Sequence, residues 1–366
     1  MRVSFENDYS EGCLPEIIES LQNTNYEQTH GYGLDDYSIK AKNKLESLLN
    51  VEPGQVDIHF TVGGTQANLI IISHFLRSFA GVISAPEGHI ATHESAAIEA
   101  TGHKVLTIEA DSHTGKLSAS ELSEYLINYW NNPEPEHTAL PGMIYFSNAT
   151  EFGTHYTASE LTKIRDVADQ FELPIFMDGA RLGTALMAEP DQLTIDQLVN
   201  LVDVFTIGGT KNGALFGEAI VFTNRKYNLA DNFRWTLKQR GGMLAKGRLL
   251  GLQFNTLFTN NLFFEAAKHA NQMADLLRNG FTKRDVKFWT ETKTNQVFVV
   301  INSEQKQKLV DDFGFLSWLQ LDEKQMSEFE LEYSDKTYEV VRLVTSWATE
   351  KSQIAEFFAA WDKAAN

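Results

Sequence analysis

The sequence predicts an α/β fold, a largely parallel sheet covered by helices on both faces, followed by a smaller α+β unit. Three observations predict it. Short apolar, strand-like runs alternate with helical runs between residues 38 and 222; a glycine turn joins strand to helix at Gly63-Gly64; and from about residue 255 the alternation gives way to a long helix and sparser strands. In such a sheet ligands sit at the carboxyl ends of the strands, so the residues that follow strands are the functional candidates.

Residues 38–50 (SIKAKNKLESLLN) carry Ile39, Leu45, Leu48 and Leu49 at helical spacing with lysines on the other face, the pattern of an amphipathic helix. Residues 56–60 read as a strand, VGGT as a tight turn and 66–79 as a mostly apolar helix. The pattern recurs: 81–84 and 104–108 are strand-like, with a potentially helical 93–102 between them, and 143–147 and 173–177 flank a helix over 159–171. Residues 202–207 and Glu218–Phe222 complete the series. Beyond it come a helix over 260–279, strands near 286–288 and 296–301, and a final helix from about Glu350. Residues 131–137, acidic and proline-containing, read as a surface loop.

With 366 residues, 43% of them hydrophobic, the chain can bury a large core and form two unequal domains. Its 31 Lys+Arg against 49 Asp+Glu give a net charge of −18, which repels polyanions, so no nucleic-acid partner is expected. The lone cysteine, Cys13, cannot form an intramolecular disulfide and fits a reducing compartment. No charged-then-apolar leader and no apolar run of roughly 18 residues is present, so no membrane span is expected and a cytoplasmic location is.

Three strand-end sites carry the chemistry. Gly63-Gly64-Thr65 joins a strand to a helix, where amides and a hydroxyl suit a phosphate, although a glycine pair there also serves as a simple turn. Asp178 ends a buried strand; alone, it reads as a helix N-cap with a neighbouring salt-bridge partner. Lys211 follows the next strand, and alone reads as a solvated charge. Together, a phosphate cradle, a carboxylate for a pyridinium nitrogen and a lysine for an aldehyde are the parts that pyridoxal 5'-phosphate requires. No metal site is expected.

VGGTQAN, GHIATHESAAIEATGHK, MDGARLGTA, GGTKNG and VRLVTSW occur in an order that resembles the low-specificity L-threonine aldolases and related β-eliminating lyases. The resemblance runs from about Asn7-Asp8 to the terminal helix. It implies the pyridoxal phosphate-dependent fold of aspartate aminotransferase, with a mainly parallel seven-stranded sheet between helices and a smaller α+β C-terminal domain. The corresponding boundaries are an arm (1–20), a large cofactor domain (21–254) and a small domain (255–366).

Position by position, the resemblance implies that Lys211 binds the cofactor aldehyde, Asp178 partners the pyridine nitrogen, Arg181 lies near the phenolic oxygen and Gly64 and Thr65 hold the phosphate. His89 matches a histidine stacked on the ring and a candidate base, with His93 close enough to compete for the assignment. Arg342 matches an arginine that grips the substrate carboxylate, although a lone arginine in a strand also pairs with acids. Tyr32 matches a tyrosine that reaches the site across a subunit interface. The basic residues Lys238, Arg240, Lys246 and Arg248 fall where the family has cations near a neighbouring subunit's phosphate; a solubilising patch is the competing reading. Where many threonine aldolases have a histidine near the substrate hydroxyl, this chain offers Glu151, a candidate base. The implied activity is retro-aldol cleavage of L-threonine, L-allo-threonine or a related β-hydroxy-α-amino acid to glycine and an aldehyde. β-Elimination to a keto acid and ammonia is the alternative. A homodimer or homotetramer acting on a small amino acid is implied with it.

Overall fold

The computed structural model describes residues 3–189, 193–331 and 337–364. Its strands, in chain order, are β1 (Val3–Ser4), β2 (Asp57–Thr61), β3 (Ala80–Ser84), β4 (Lys104–Thr107), β5 (Leu140–Ser147), β6 (Ile175–Asp178), β7 (Val204–Gly208), β8 (Glu218–Phe222), β9 (Gln296–Asn302), β10 (Phe313–Gly314), β11 (Leu316–Gln320) and β12 (Tyr338–Val344). Seven of them form one sheet in the order β2-β8-β7-β6-β5-β3-β4. Only β8 runs antiparallel to its neighbours there, and the remaining pairs are parallel. Every residue of β3, β6, β7 and β8 is buried, as a sheet covered on both faces requires of its strands.

Several helices begin where a side chain satisfies a first-turn amide. Asp35 accepts from the Ser38 amide at 2.8 Å and starts Asp36–Leu48, and Thr157 with Glu160 forms a reciprocal cap on Ala158–Gln170. The segment predicted as helical over 93–102 differs. It holds the 3-10 turn Glu99–Thr101, and a single helical turn, His89–Thr92, ends just before the segment. Between them Ser95 and Ala96 have φ of 49° and 58°, a left-handed conformation that an α-helix cannot propagate through. The kink follows Glu94, which is buried.

A second, antiparallel sheet has the order β11-β12-β9 and places Arg342 of β12 opposite Leu316 and Phe298. The predicted strand at 286–288 is reduced to a single bridge, Phe288 to Val299. Phe5, Phe281, Phe357 and Trp361 pack in the core beneath this sheet, and Gly280 admits the Phe358 ring, which a Cβ would meet at 2.1 Å. The start of the chain belongs to this unit, because β1 pairs in parallel with β10. Among the described residues no helix is long and apolar enough to cross a membrane.

Candidate active site

The carboxyl ends of β6 and β7 are pressed together by glycine. A Cβ on Gly179 would lie 1.9 Å from the Thr206 carbonyl oxygen, and one on Gly208 would lie 2.3 Å from that of Ala180. No larger residue fits at either position. The small residues before Lys211 thus serve close backbone packing, which brings Asp178 and Lys211 to one cleft of about 360 Å³. Gly63, Gly64, Thr65, His89, Ser147, Glu151, Arg181 and Glu218 line the same cleft. Its size suits a small organic ligand.

Asp178 is held from three directions. Its Oδ2 accepts from Asn68 Nδ2 and the Tyr145 hydroxyl, each at 2.8 Å, and its Oδ1 accepts from the Ala180 amide at 2.9 Å. Burial alone would raise this carboxyl, but the nearby His89 ring and these hydrogen bonds hold it below the ordinary aspartate value. Three accepted bonds leave one acceptor position on a carboxylate, on Oδ1, for a further donor.

Lys211 lies on the 3-10 turn Thr210–Asn212, closed by Gly213 at φ 94°. Burial, and after it the Arg181 guanidinium, push its amine below the ordinary lysine value, while Asp8, Asp178 and Glu218 pull the other way. A depressed lysine is the more available nucleophile at neutral pH. Arg181 is committed to Asp8, donating from Nε at 2.8 Å and from Nη2 at 3.0 Å. Asn295 adds a 2.9 Å bond to the same aspartate. Glu218 is buried at the start of β8 with Oε2 unpartnered, and burial, then Asp178, raise its carboxyl well above the ordinary range.

The helix Gly64–Phe75 points its first turn at the cleft. Its N-cap, Gly63, supplies no side-chain hydrogen bond, and a Cβ on Gly63 or Gly64 would meet nothing within 4 Å. Free amides, open space and the positive end of a helix dipole fit a phosphate.

Glu151 accepts from the Ser147 hydroxyl at 2.6 Å and from the His89 amide at 2.9 Å. Burial raises its carboxyl, against the Ser147 hydrogen bond. His93 packs against His89 on one side and Trp318 on the other, with ring centroids 5.6 and 5.9 Å apart. Arg342 is not among the residues lining the cleft, although its charge and that of Arg181 act on each other. Its guanidinium lies over Trp318, 4.9 Å from the ring centroid; Nη2 reaches the Glu6 carbonyl at 3.4 Å, and Nε is buried without a partner.

Tyr32 is elsewhere. Its turn lies on a face shared with Leu34, Arg234, Trp235, Lys238 and Met243, with Lys238 Nζ 4.5 Å from its ring centroid. Arg248, of the basic turn, donates to the Thr24 and Glu27 carbonyls and so secures an inner connection.

Asp8, Asn68, Glu94, Tyr145 and Glu218 are site residues that the sequence reading did not single out. Asn68 had a signal, since it is a polar residue directly before the apolar run Leu69-Ile70-Ile71-Ile72, and Glu94 had another, as an acid directly before Ser95-Ala96-Ala97. Asp8, though it stands where the family resemblance begins, had no local signal for its role, because its partner lies 173 residues away.

Fold and site together define a pyridoxal phosphate-dependent lyase of the aspartate aminotransferase fold. The chain belongs to the β-eliminating lyase family, whose pattern it matches over residues 11–304. It is 32% identical to the "Low specificity L-threonine aldolase" of Pseudomonas sp. over 278 residues, 75% of this chain and 76% of that protein. A solved structure of Leishmania major threonine aldolase superposes with a TM-score of 0.90 at 38% identity, covering 100% of both chains. Aspartate aminotransferase from Thermus thermophilus, at 12% identity, shares the fold with a TM-score of 0.67 over 99% of this chain and 91% of that one.

Proposed function

We propose that this chain cleaves L-threonine, L-allo-threonine or a related β-hydroxy-α-amino acid to glycine and an aldehyde. The observation that carries this reading is Glu151, a buried carboxyl in the cleft that also holds Lys211 and Asp178. A retro-aldol cleavage needs a base for the substrate hydroxyl, whereas the electron sink is common to the whole class. The names of the relatives above support the same choice.

Pyridoxal phosphate, when bound, withdraws the electron pair left at Cα as a bond to that carbon breaks. Gly64, Thr65 and the helix they begin would hold its phosphate, the free acceptor position on Asp178 its pyridine nitrogen, and Lys211 its aldehyde. Arg181, fixed by Asp8, places a cation at the same cleft. Arg342, with a guanidinium unmatched by any carboxylate among the described residues, would fork onto the substrate carboxylate. Glu151 would take the hydroxyl proton, and because burial raises its carboxyl, its ionised form is a stronger base than an ordinary glutamate.

A second copy of the chain is part of this reading. Tyr32 stands outside the cleft, on a face where Trp235 is 76% exposed and Leu34 57% exposed. Apolar surface of that kind supports a subunit contact that carries Tyr32 to a neighbour's cleft. The lone, buried Cys13 supports a cytoplasmic setting. We divide the chain into an arm (1–20), a large domain (21–254) and a small domain (255–366); the separation of the two sheets supports the large and small domains, and the first strand of the arm docks on the small one.

The test is product analysis after adding pyridoxal phosphate and L-allo-threonine. Glycine with acetaldehyde is expected; a keto acid with ammonia would reassign the chain to β-elimination. Light scattering checks the oligomer, with a mass of at least twice 41.2 kDa expected.

A further inference from the structure

We propose that Glu94 is a positioning residue. With Asn68 it forms a hydrogen-bonded bridge that fixes the ring of His89, and the hydrogen it carries, relative to Asp178.

The bridge is continuous. Glu94 Oε1 lies 2.7 Å from His89 Nδ1 and 2.7 Å from Asn68 Nδ2, and the same amide nitrogen lies 2.8 Å from Asp178 Oδ2. The groups come from the helical turn His89–Thr92, the kink that follows it, the helix Gly64–Phe75 and the end of β6. The left-handed Ser95 and Ala96 come directly after Glu94 and bend the chain where the acid turns inward.

Chemistry fixes the hydrogens along the bridge. Asn68 faces two carboxylates, so its nitrogen must point to both; the reverse orientation would set its carbonyl against two acceptors. Asn68 Oδ1 is accordingly left buried without a partner. By the same logic Glu94 Oε1, an acceptor toward Asn68, takes a hydrogen from Nδ1 of His89. The neutral ring then has Nε2 as its only lone pair. Glu151 holds the backbone of His89 at the same time, so one acid fixes the main chain and another fixes the ring.

Stability does not explain Glu94. Its side chain is fully buried and Oε2 finds no partner. An apolar residue would occupy this place at lower cost than a half-satisfied carboxylate. Retaining the acid has a use if the tautomer and orientation of His89 matter. That consequence rests on the proposed reaction; the bridge does not.

The test is ¹⁵N NMR of histidine-labelled protein without substrate, above the range in which imidazole titrates, with His89 assigned from the His89→Gln variant. The wild type is expected to show a protonated, pyrrole-type Nδ1 and a pyridine-type Nε2. Glu94→Gln is expected to lose that preference. With pyridoxal phosphate, Glu94→Gln is expected to lower kcat by about 10–100-fold, the scale for removing an orienting partner. A wild-type His89 protonated on Nε2 would overturn the proposal without any variant, so a failure of Glu94→Gln to fold cannot shelter it. An unchanged nitrogen pattern in a folded Glu94→Gln would overturn it too. An inactive wild type with the expected nitrogen pattern would indict the reaction and leave the bridge standing.

Discussion

Replacing Arg342 with methionine separates a substrate ligand from a structural cation. Burial first, and the Arg181 charge second, push the Arg342 guanidinium down to about 10 from its ordinary value. At 1.36 kcal/mol per pKa unit that depression corresponds to a folding penalty of about 3 kcal/mol on the cation. The penalty acts throughout the pH range below about 10 and fades only as pH rises through it, so it is constant between pH 6 and 9. Arg342→Met removes the penalty and forfeits the contact with Trp318, worth about 0.5–2 kcal/mol. Stability at pH 7 should therefore be unchanged or higher by up to about 2 kcal/mol, measured by urea unfolding. Catalysis should move the other way. Losing a forked, charge-assisted contact of about 1.5–3 kcal/mol lowers kcat/KM by about 10–150-fold, mostly through KM, because the carboxylate is held before and during the reaction. A variant destabilised by about 2 kcal/mol or more with an unchanged KM would refute this reasoning and make Arg342 a packing residue.

The other expectations rest on single features of the cleft. Lys211→Ala should abolish the visible absorbance that the wild type acquires with pyridoxal phosphate; an unchanged spectrum removes Lys211 as the point of attachment. Glu151→Gln should lower kcat by about 10²–10⁴-fold, and in the wild type the acid limb of the rate profile should lie above the ordinary glutamate value, since burial raises this group and the base acts ionised. Because its folded pKa is raised, Glu151 costs stability as pH climbs past its unfolded pKa, so the glutamine variant should be no less stable at neutral pH. Gly179→Ala should destabilise the fold by about 1–3 kcal/mol or more, since its methyl would meet the Thr206 carbonyl oxygen at 1.9 Å; a normal Tm would show that the two strand ends can part.

Much of this site was legible because the sheet is parallel. Strands buried on both faces read as apolar runs, and the residues at or just beyond their carboxyl ends, Asp178 and Lys211, fall at one edge by topology alone. The Gly63-Gly64 turn was legible for the same reason, as the joint between a strand and a helix. Partners that depend on tertiary approach were not. Asp8 meets Arg181 because β1 docks on β10 and carries the arm past the cleft, and no local pattern announces a two-residue parallel pairing. The segment 93–102 misled for a related reason. Its composition suits a helix, but drawing Glu94 inward to Asn68 and His89 sets Ser95 and Ala96 in conformations that local propensity disfavours. Tyr32 was legible as a site candidate only through resemblance, since within one chain it lies on another face.

The measurement that bears most directly on the account is the identity of the products formed from L-allo-threonine by the wild-type protein with pyridoxal phosphate. The account predicts glycine and acetaldehyde in equal amounts, with the Glu151→Gln variant slowed in forming both. A 2-keto acid and ammonia, formed at a rate indifferent to Glu151, would contradict it.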